Sequence, residues 1–154
     1  MGYYNRVRNL QKAARRIVEE YGGKMPDSYE ELLTLHARKT GALIRVAAQM
    51  GCLAAGCTVG SSEMLAAESY AERIGLAFQV IDDILDATST SDVLGKSVGG
   101  DADHHKTTFL SFKSIAEAEI YADSLTEEAV ELLAPYEGAE RLIALARYLA
   151  VRKV

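Results

Sequence analysis

From Ile74 to Leu85 the chain reads IGLAFQVIDDIL, and its only polar side chains are Gln79, Asp82 and Asp83. A helix that is apolar on nearly every side has no face to offer water, so it belongs inside a bundle. The stretch from Gly41 to Gly56 is similar, with Arg45 and Gln49 its only strongly polar residues. Long strand-like alternations are missing, while Ala, Leu, Glu and Arg dominate. The two prolines, Pro26 and Pro135, fall where helical patterns break. These features predict an all-α helical bundle with the Ile74–Leu85 helix at its centre.

The pattern divides into five helices. The first runs from Tyr3 to Tyr21 and is closed by the C-cap signal Gly22-Gly23. The second starts at an Asp27 or Ser28 N-cap, with Glu30 and Glu31 in its first turn, and runs unbroken to about Gly56. The third runs from Ser62 to about Thr88, followed by the polar loop STSDVLGKSVGGDADHH. The fourth spans about Ser114 to Leu133 and the fifth about Gly138 to Arg152. With 154 residues, positions 1–154 read as a single all-α domain.

Composition narrows the function classes. A formal net charge of −5 gives no reason to expect nucleic-acid binding, which wants a basic face. No apolar run approaches the roughly twenty residues of a transmembrane segment, and no secretory pattern opens the chain. Cys52 and Cys57 read as buried thiols on a helix in a reducing compartment, which points to a cytoplasmic protein. Val7, Leu10, Ala14, Ile17 and Tyr21 recur at helical spacing among arginines and lysine, a pattern shared by transit peptides and membrane-surface helices but read here as a packed terminal helix with a solvated face.

The chemistry lies in LAFQVIDDILD, Leu76 to Asp86. On a helix, Asp82, Asp83 and Asp86 sit at about 0°, 100° and 40°, one arc, with Gln79 joining that side. Three carboxylates repel one another and are costly in an apolar setting. Oxygen-only ligands suit a hard cation, Mg²⁺ or Mn²⁺, which keeps waters and completes its shell with substrate phosphates. The competing reading is that the aspartates merely solvate a helix end. Flanking residues favour the metal: Lys96 in LGKSVGG and Lys106 in HHKTT sit among Gly95, Gly99 and Gly100 in the loop that follows. Lysines on such a loop can close over a polyphosphate. Lys39 and Thr40 in ARKTGAL are a further cation and hydroxyl on the preceding helix.

The segments HARKTGALIRVAAQMGCLAAG, IGLAFQVIDDILDATSTSDVLGKSVGGD and HKTTF, in that order, resemble successive motifs of the trans-isoprenyl diphosphate synthases, in particular bacterial short-chain members making farnesyl or geranylgeranyl diphosphate. GLAFQVIDDILD resembles their second aspartate-rich motif, and the likeness runs from about residue 23 to the end. It implies an isoprenoid synthase fold and a prenyltransferase that joins isopentenyl diphosphate to an allylic diphosphate. Asp82, Asp83 and Asp86 would hold Mg²⁺ on the allylic diphosphate. Lys39, Lys96 and Lys106 would neutralise its oxygens, with Thr40 and Gln79 as polar neighbours and Phe78 flanking the prenyl groups. The likeness covers only the C-terminal half of such enzymes, and no second D-D-x-x-D occurs in the 154 residues. The chain alone is therefore expected to be incomplete and inactive, working as a homo-oligomer (a dimer) or paired with a missing N-terminal half. Two other readings stand beside it: a non-catalytic subunit that pairs with a full-length synthase, and an unrelated helical module with incidental aspartates.

Several residues read as ordinary structure. His36 is expected at the surface or in a cap, His104 and His105 in solvated loop, and Met50, Met64 and Tyr70 in the core. Arg152 and Lys153 read as a frayed tail.

Overall fold

The structure is a computed structural model. It describes residues 2–23, 28–93 and 107–151, and of these the backbone alone at 2–6, 21, 35, 39 and 89–93. Among the described residues there is no strand, and six α-helices follow one another: α1 (Gly2–Tyr21), α2 (Tyr29–His36), α3 (Ala42–Ala54), α4 (Ser62–Val93), α5 (Ile115–Leu133) and α6 (Glu140–Ala150). The all-α expectation holds.

Local signals explain most boundaries. Ser28 caps α2 and Ser114 caps α5, each by a reciprocal pair with a glutamate three residues on, Glu31 and Glu117. Gly22 and Gly23 both take positive φ, and the Gly23 N–H returns to the Ile17 carbonyl at 2.9 Å, closing α1 as a glycine C-cap does. Where Tyr29, Leu32, Leu33 and His36 repeat at helical spacing, α2 turns inward.

The expected second helix is not uniform. Ala37–Gly41 (ARKTG) forms a π-helical turn between α2 and α3. Its flanking residues, His36 and Ala42, keep right-handed helical dihedrals, so the helix continues through the turn with one residue too many. Such wide turns cost hydrogen-bond quality and re-aim the side chains they carry. The third helix extends to Val93, five residues beyond the expected end. A 3₁₀ turn at Phe109–Ser111 was not foreseen either. Cys57 is not helical: α3 ends at Ala54 and the chain folds back, with the Cys57 N–H on the Cys52 carbonyl at 2.9 Å. Both thiols are half-buried.

As expected, α4 is the axis of the packing. It contacts α2, the π turn and α3 on one side and α5 and α6 on another. One cluster gathers Tyr70, Ala71 and Ile74 with Ala129, Val130, Leu133 and Ala146. Within it the Tyr70 hydroxyl donates to the Leu142 carbonyl at 2.8 Å, and burial pushes its pKa up to about 12. A second cluster gathers Val80, Ile81 and Ile84 with Leu32, Phe109, Ala118 and Ala122.

Two expectations fail. α3 has no buried residue: Leu43 is 72% exposed and Met50, expected in the core, 64%. It lays one face on α4, through Arg45 to Glu72 and Gln49 to Glu68, and its other apolar face has no cover among the described residues. α1 was expected to pack, yet Val7, Leu10 and Val18 are exposed, and α1 makes no extensive contact with the other described helices.

Candidate active site

Five of the predicted site residues, Phe78, Gln79, Asp82, Asp83 and Asp86, fall on two neighbouring stripes of α4. Phe78, Asp82 and Asp86 are spaced by four, so they share a face. Phe78 and Asp82 are half-buried and Asp86 is exposed: this stripe rises out of the core toward the C-terminal end of α4. One residue further round lie Gly75, Gln79 and Asp83, all buried.

The closed stripe is held by specific contacts. The π turn approaches α4 so closely that a Cβ on Gly75 would stand 2.8 Å from the Gly41 Cα. Only glycine allows that approach. One turn on, the Gln79 carboxamide oxygen accepts from Nδ1 of His36 at 2.9 Å. One further turn on, Asp83, only 7% exposed, accepts the Phe109 backbone N–H on Oδ2 at 2.9 Å. The Phe109 ring is fully buried and stacks on the His36 ring at 5.2 Å, with an interplanar angle of 25°. Tyr29 meets the same phenyl edge-on at 5.9 Å.

The three aspartates therefore do not share one environment. Asp82 and Asp86 lie on the open stripe, whereas Asp83 has one oxygen committed to anchoring the segment that follows the polar loop. Among the described residues no three His, Cys, Asp or Glu side chains form a group able to hold a metal on their own. Thr40 is half-buried in the π turn, beside the Gly41–Gly75 contact and so next to α4. Lys39 belongs to the same turn, but its side chain lies outside the described atoms, as do Lys96 and Lys106 altogether, along with His104, His105, Arg152 and Lys153.

Sequence reading missed two residues of this region, His36 and Phe109. His36 is 8% exposed, not superficial. The signal was there: His36 occupies the fourth place of the inward Tyr29, Leu32, Leu33 stripe. For Phe109 the only cue was an aromatic residue straight after a polar loop.

A cavity of about 660 Å³ lies elsewhere, between the π turn, α4 and α5, lined among others by Leu33, Arg38, Gly41, Arg45, Leu76 and Tyr121. It includes none of Phe78, Gln79, Asp82, Asp83 or Asp86. Of the three arginines that line it, Arg38, Arg45 and Arg73, the last two are paired with Glu72 at 3.3 Å and Glu128 at 2.7 Å, which offsets part of the charge a diphosphate would need.

Residues 14–139 match the polyprenyl synthetase family model. The chain belongs to that family. It is 41% identical over 131 residues to a geranylgeranyl diphosphate synthase of Cyanophora paradoxa, covering 84% of this chain and 43% of that one. It is 39% identical over 142 residues to a dimethylallyltranstransferase of Fischerella ambigua, covering 85% and 40%. Among solved structures, a geranyltransferase of Helicobacter pylori superposes with a TM-score of 0.63 at 29% identity, over 82% of this chain and 41% of the other. The chain thus spans about two fifths of the length of these relatives and has the isoprenoid synthase fold. Among the described residues no helix is long and apolar enough to cross a membrane.

Proposed function

We propose that the protein serves a prenyltransferase of the farnesyl or geranylgeranyl type, which condenses isopentenyl diphosphate with an allylic diphosphate. The observation that carries this reading is the open stripe. Phe78 leaves the core first, Asp82 and Asp86 follow on the same face, and the π turn that carries Thr40 meets α4 just before Phe78, at Gly75. An apolar wall next to carboxylates suits a substrate with a prenyl tail and an anionic head.

The residues fit Mg²⁺, with Mn²⁺ as a substitute, in one particular way. Two carboxylates one helical turn apart cannot cage an ion, but Mg²⁺ commonly binds one or two carboxylates and takes its other ligands from water and substrate phosphates. Asp82 and Asp86 would hold it, with the charge of Asp83 behind them. When bound, the ion supplies Lewis-acid stabilisation of the departing diphosphate. Lys39, Lys96 and Lys106 add positive charge to the diphosphate oxygens, and Thr40 and Gln79 contribute polar contacts. Phe78 and the apolar residues around it keep water from the allylic cation while the isopentenyl double bond attacks and a proton is lost. In this reading the protein acts in the cytoplasm, in keeping with its free Cys52 and Cys57.

The uncovered faces of α1 and α3 support a second element of the reading. Leu43, Val46, Met50 and Leu53 form an exposed apolar row on α3, which favours a complementary segment or subunit that completes the site. That segment either belongs to the catalyst itself or to a full-length synthase with which this chain pairs. Titration calorimetry with Mg²⁺ and inorganic diphosphate should show binding to the chain alone, abolished by Asp82→Ala. Turnover of allylic and isopentenyl diphosphates should appear only when the complementary segment is added. Robust condensation by the chain alone, or no diphosphate binding at all, would refute the reading.

A further inference from the structure

We propose that Cys52 and Cys57 form a redox-active dithiol, which a small disulfide such as oxidised glutathione converts to an intramolecular disulfide. The pair stands at the far end of α4 from the aspartates, near Glu63 and Glu68. Five residues apart on a continuous helix, the two side chains would diverge. The turn that ends α3 brings them together instead. Gly56 takes a φ of 89°, its N–H donates to the Leu53 carbonyl at 3.0 Å, and the Cys57 N–H donates to the Cys52 carbonyl at 2.9 Å. Two such bonds around a left-handed glycine make a Schellman motif, in which the side chains at the positions of Cys52 and Cys57 meet. The two thiols do lie within hydrogen-bonding reach of each other. A direct backbone bond between two residues also keeps their Cα atoms close to the spacing a disulfide requires. In such a turn the meeting pair is ordinarily apolar. Here both members are free thiols, and both are half-buried, so a small reagent reaches them.

The surroundings set the order of events. Burial, the adjacent Cys57 and the carboxylates of Glu63 and Glu68 push the Cys52 thiol up. The carbonyl end of α3, whose last turn carries Cys52, disfavours a thiolate there as well. The first attack therefore falls to Cys57. Its thiolate bonds to one sulfur of the small disulfide, whose other half departs and picks up a proton. Cys52 then gives up its proton and attacks the Cys57 sulfur. The Cys52–Cys57 bond forms, and the second half of the reagent leaves as a thiol. The two protein thiols lose two electrons and two protons, and one small disulfide becomes two small thiols. Because Cys52 is a poor leaving group, the closed form is slow to reopen by attack on the Cys57 sulfur. In the reducing compartment proposed above the pair rests open and closes as the oxidised reagent accumulates. Closure fastens the end of α3, where the exposed apolar row finishes at Leu53.

Mass spectrometry on the whole chain tests this. The folded protein is incubated with oxidised glutathione, quenched, alkylated under denaturing conditions and weighed without reductant. The wild type should lose the mass of two hydrogens and offer no thiol to the alkylating agent, and dithiothreitol should restore both thiols. Cys52→Ser should stop at one bound glutathione, having no second thiol to expel it. Gly56→Val keeps both cysteines and has open space around the new side chain, but valine resists the left-handed backbone of the turn. That variant should accumulate the mixed disulfide where the wild type closes. Wild type that carries two glutathiones, links two chains through a cysteine or keeps both thiols free overturns the inference. So does Gly56→Val that closes as fast as the wild type, since the native turn would then play no part in pairing the thiols.

Discussion

Two stripes run side by side along α4 with the same four-residue spacing and opposite fates. Phe78, Asp82 and Asp86 emerge from the core, whereas Gly75, Gln79 and Asp83 are sealed under α2, the π turn and the Phe109 segment. Each stripe contains aspartate, so side-chain chemistry does not decide what a position does here. A rotation of about 100° does. Asp82 can face a ligand, and its neighbour Asp83 holds the protein together. Substitutions on the closed stripe should therefore cost stability, and those on the open stripe should cost binding.

The largest loss of stability is expected where the closed stripe is anchored. Phe109 is fully buried and touches α2, α4 and α5 through His36, Tyr29, Asp83 and Tyr121. Phe109→Ala should lower unfolding free energy by about 3–5 kcal/mol in urea titration. A loss below about 1 kcal/mol would mean the stripe is not sealed.

Asp83 comes next. In Asp83→Ala the Phe109 N–H loses its buried acceptor, at a cost of about 2–3 kcal/mol. Asp83→Asn keeps an oxygen on the same stem and should recover most of that loss. If the two variants are equally unstable, the negative charge of Asp83 matters more than its hydrogen bond. Gly75→Ala follows. Alanine gains roughly 1 kcal/mol of helix propensity over glycine. The new methyl would meet Gly41 backbone at 2.8 Å, however, and backbone cannot swing aside as a flexible side chain can. A net destabilisation of about 1–2 kcal/mol is expected.

Much of this was legible in the sequence, but unevenly. The apolar run of Ile74–Leu85 pointed to α4 as the axis, because a helix with no polar face has only one place to go. The caps at Ser28 and Ser114 follow from local hydrogen bonding, which short motifs record well. Helical periodicity also put Asp82, Asp83 and Asp86 on one arc. It could not say where the neighbours lie, and that is what separates Asp83 from the other two. The π turn left no specific mark: Thr40 and Gly41 weaken a helix but do not spell out a wide turn, and tertiary packing of Gly41 on Gly75 goes with it. The all-round apolar character of α3 pointed to burial, yet only one of its faces finds a partner among the described residues.

The smallest expected change in stability falls on the open stripe, where it discriminates best. Asp82→Ala removes a half-buried carboxylate at a point where α4 leaves the core, and Asp86→Ala an exposed one. Neither carboxylate is as buried as that of Asp83, so each change should cost less than the about 2–3 kcal/mol expected of Asp83→Ala. Relieving repulsion between carboxylates one turn apart should even offset part of the cost. Binding of Mg²⁺ with inorganic diphosphate should behave in the opposite way, lost in Asp82→Ala and weakened in Asp86→Ala. Asp83→Asn should leave much of it in place, since the hydrogen bond that orders the Phe109 segment is kept. Measuring stability and diphosphate affinity on the same three variants then gives two rankings. If the stripes divide the work as their burial implies, the rankings are inverted. If Asp83→Asn loses as much affinity as Asp82→Ala while remaining as stable as the wild type, Asp83 reaches the ion through its other oxygen and the division between the stripes is wrong.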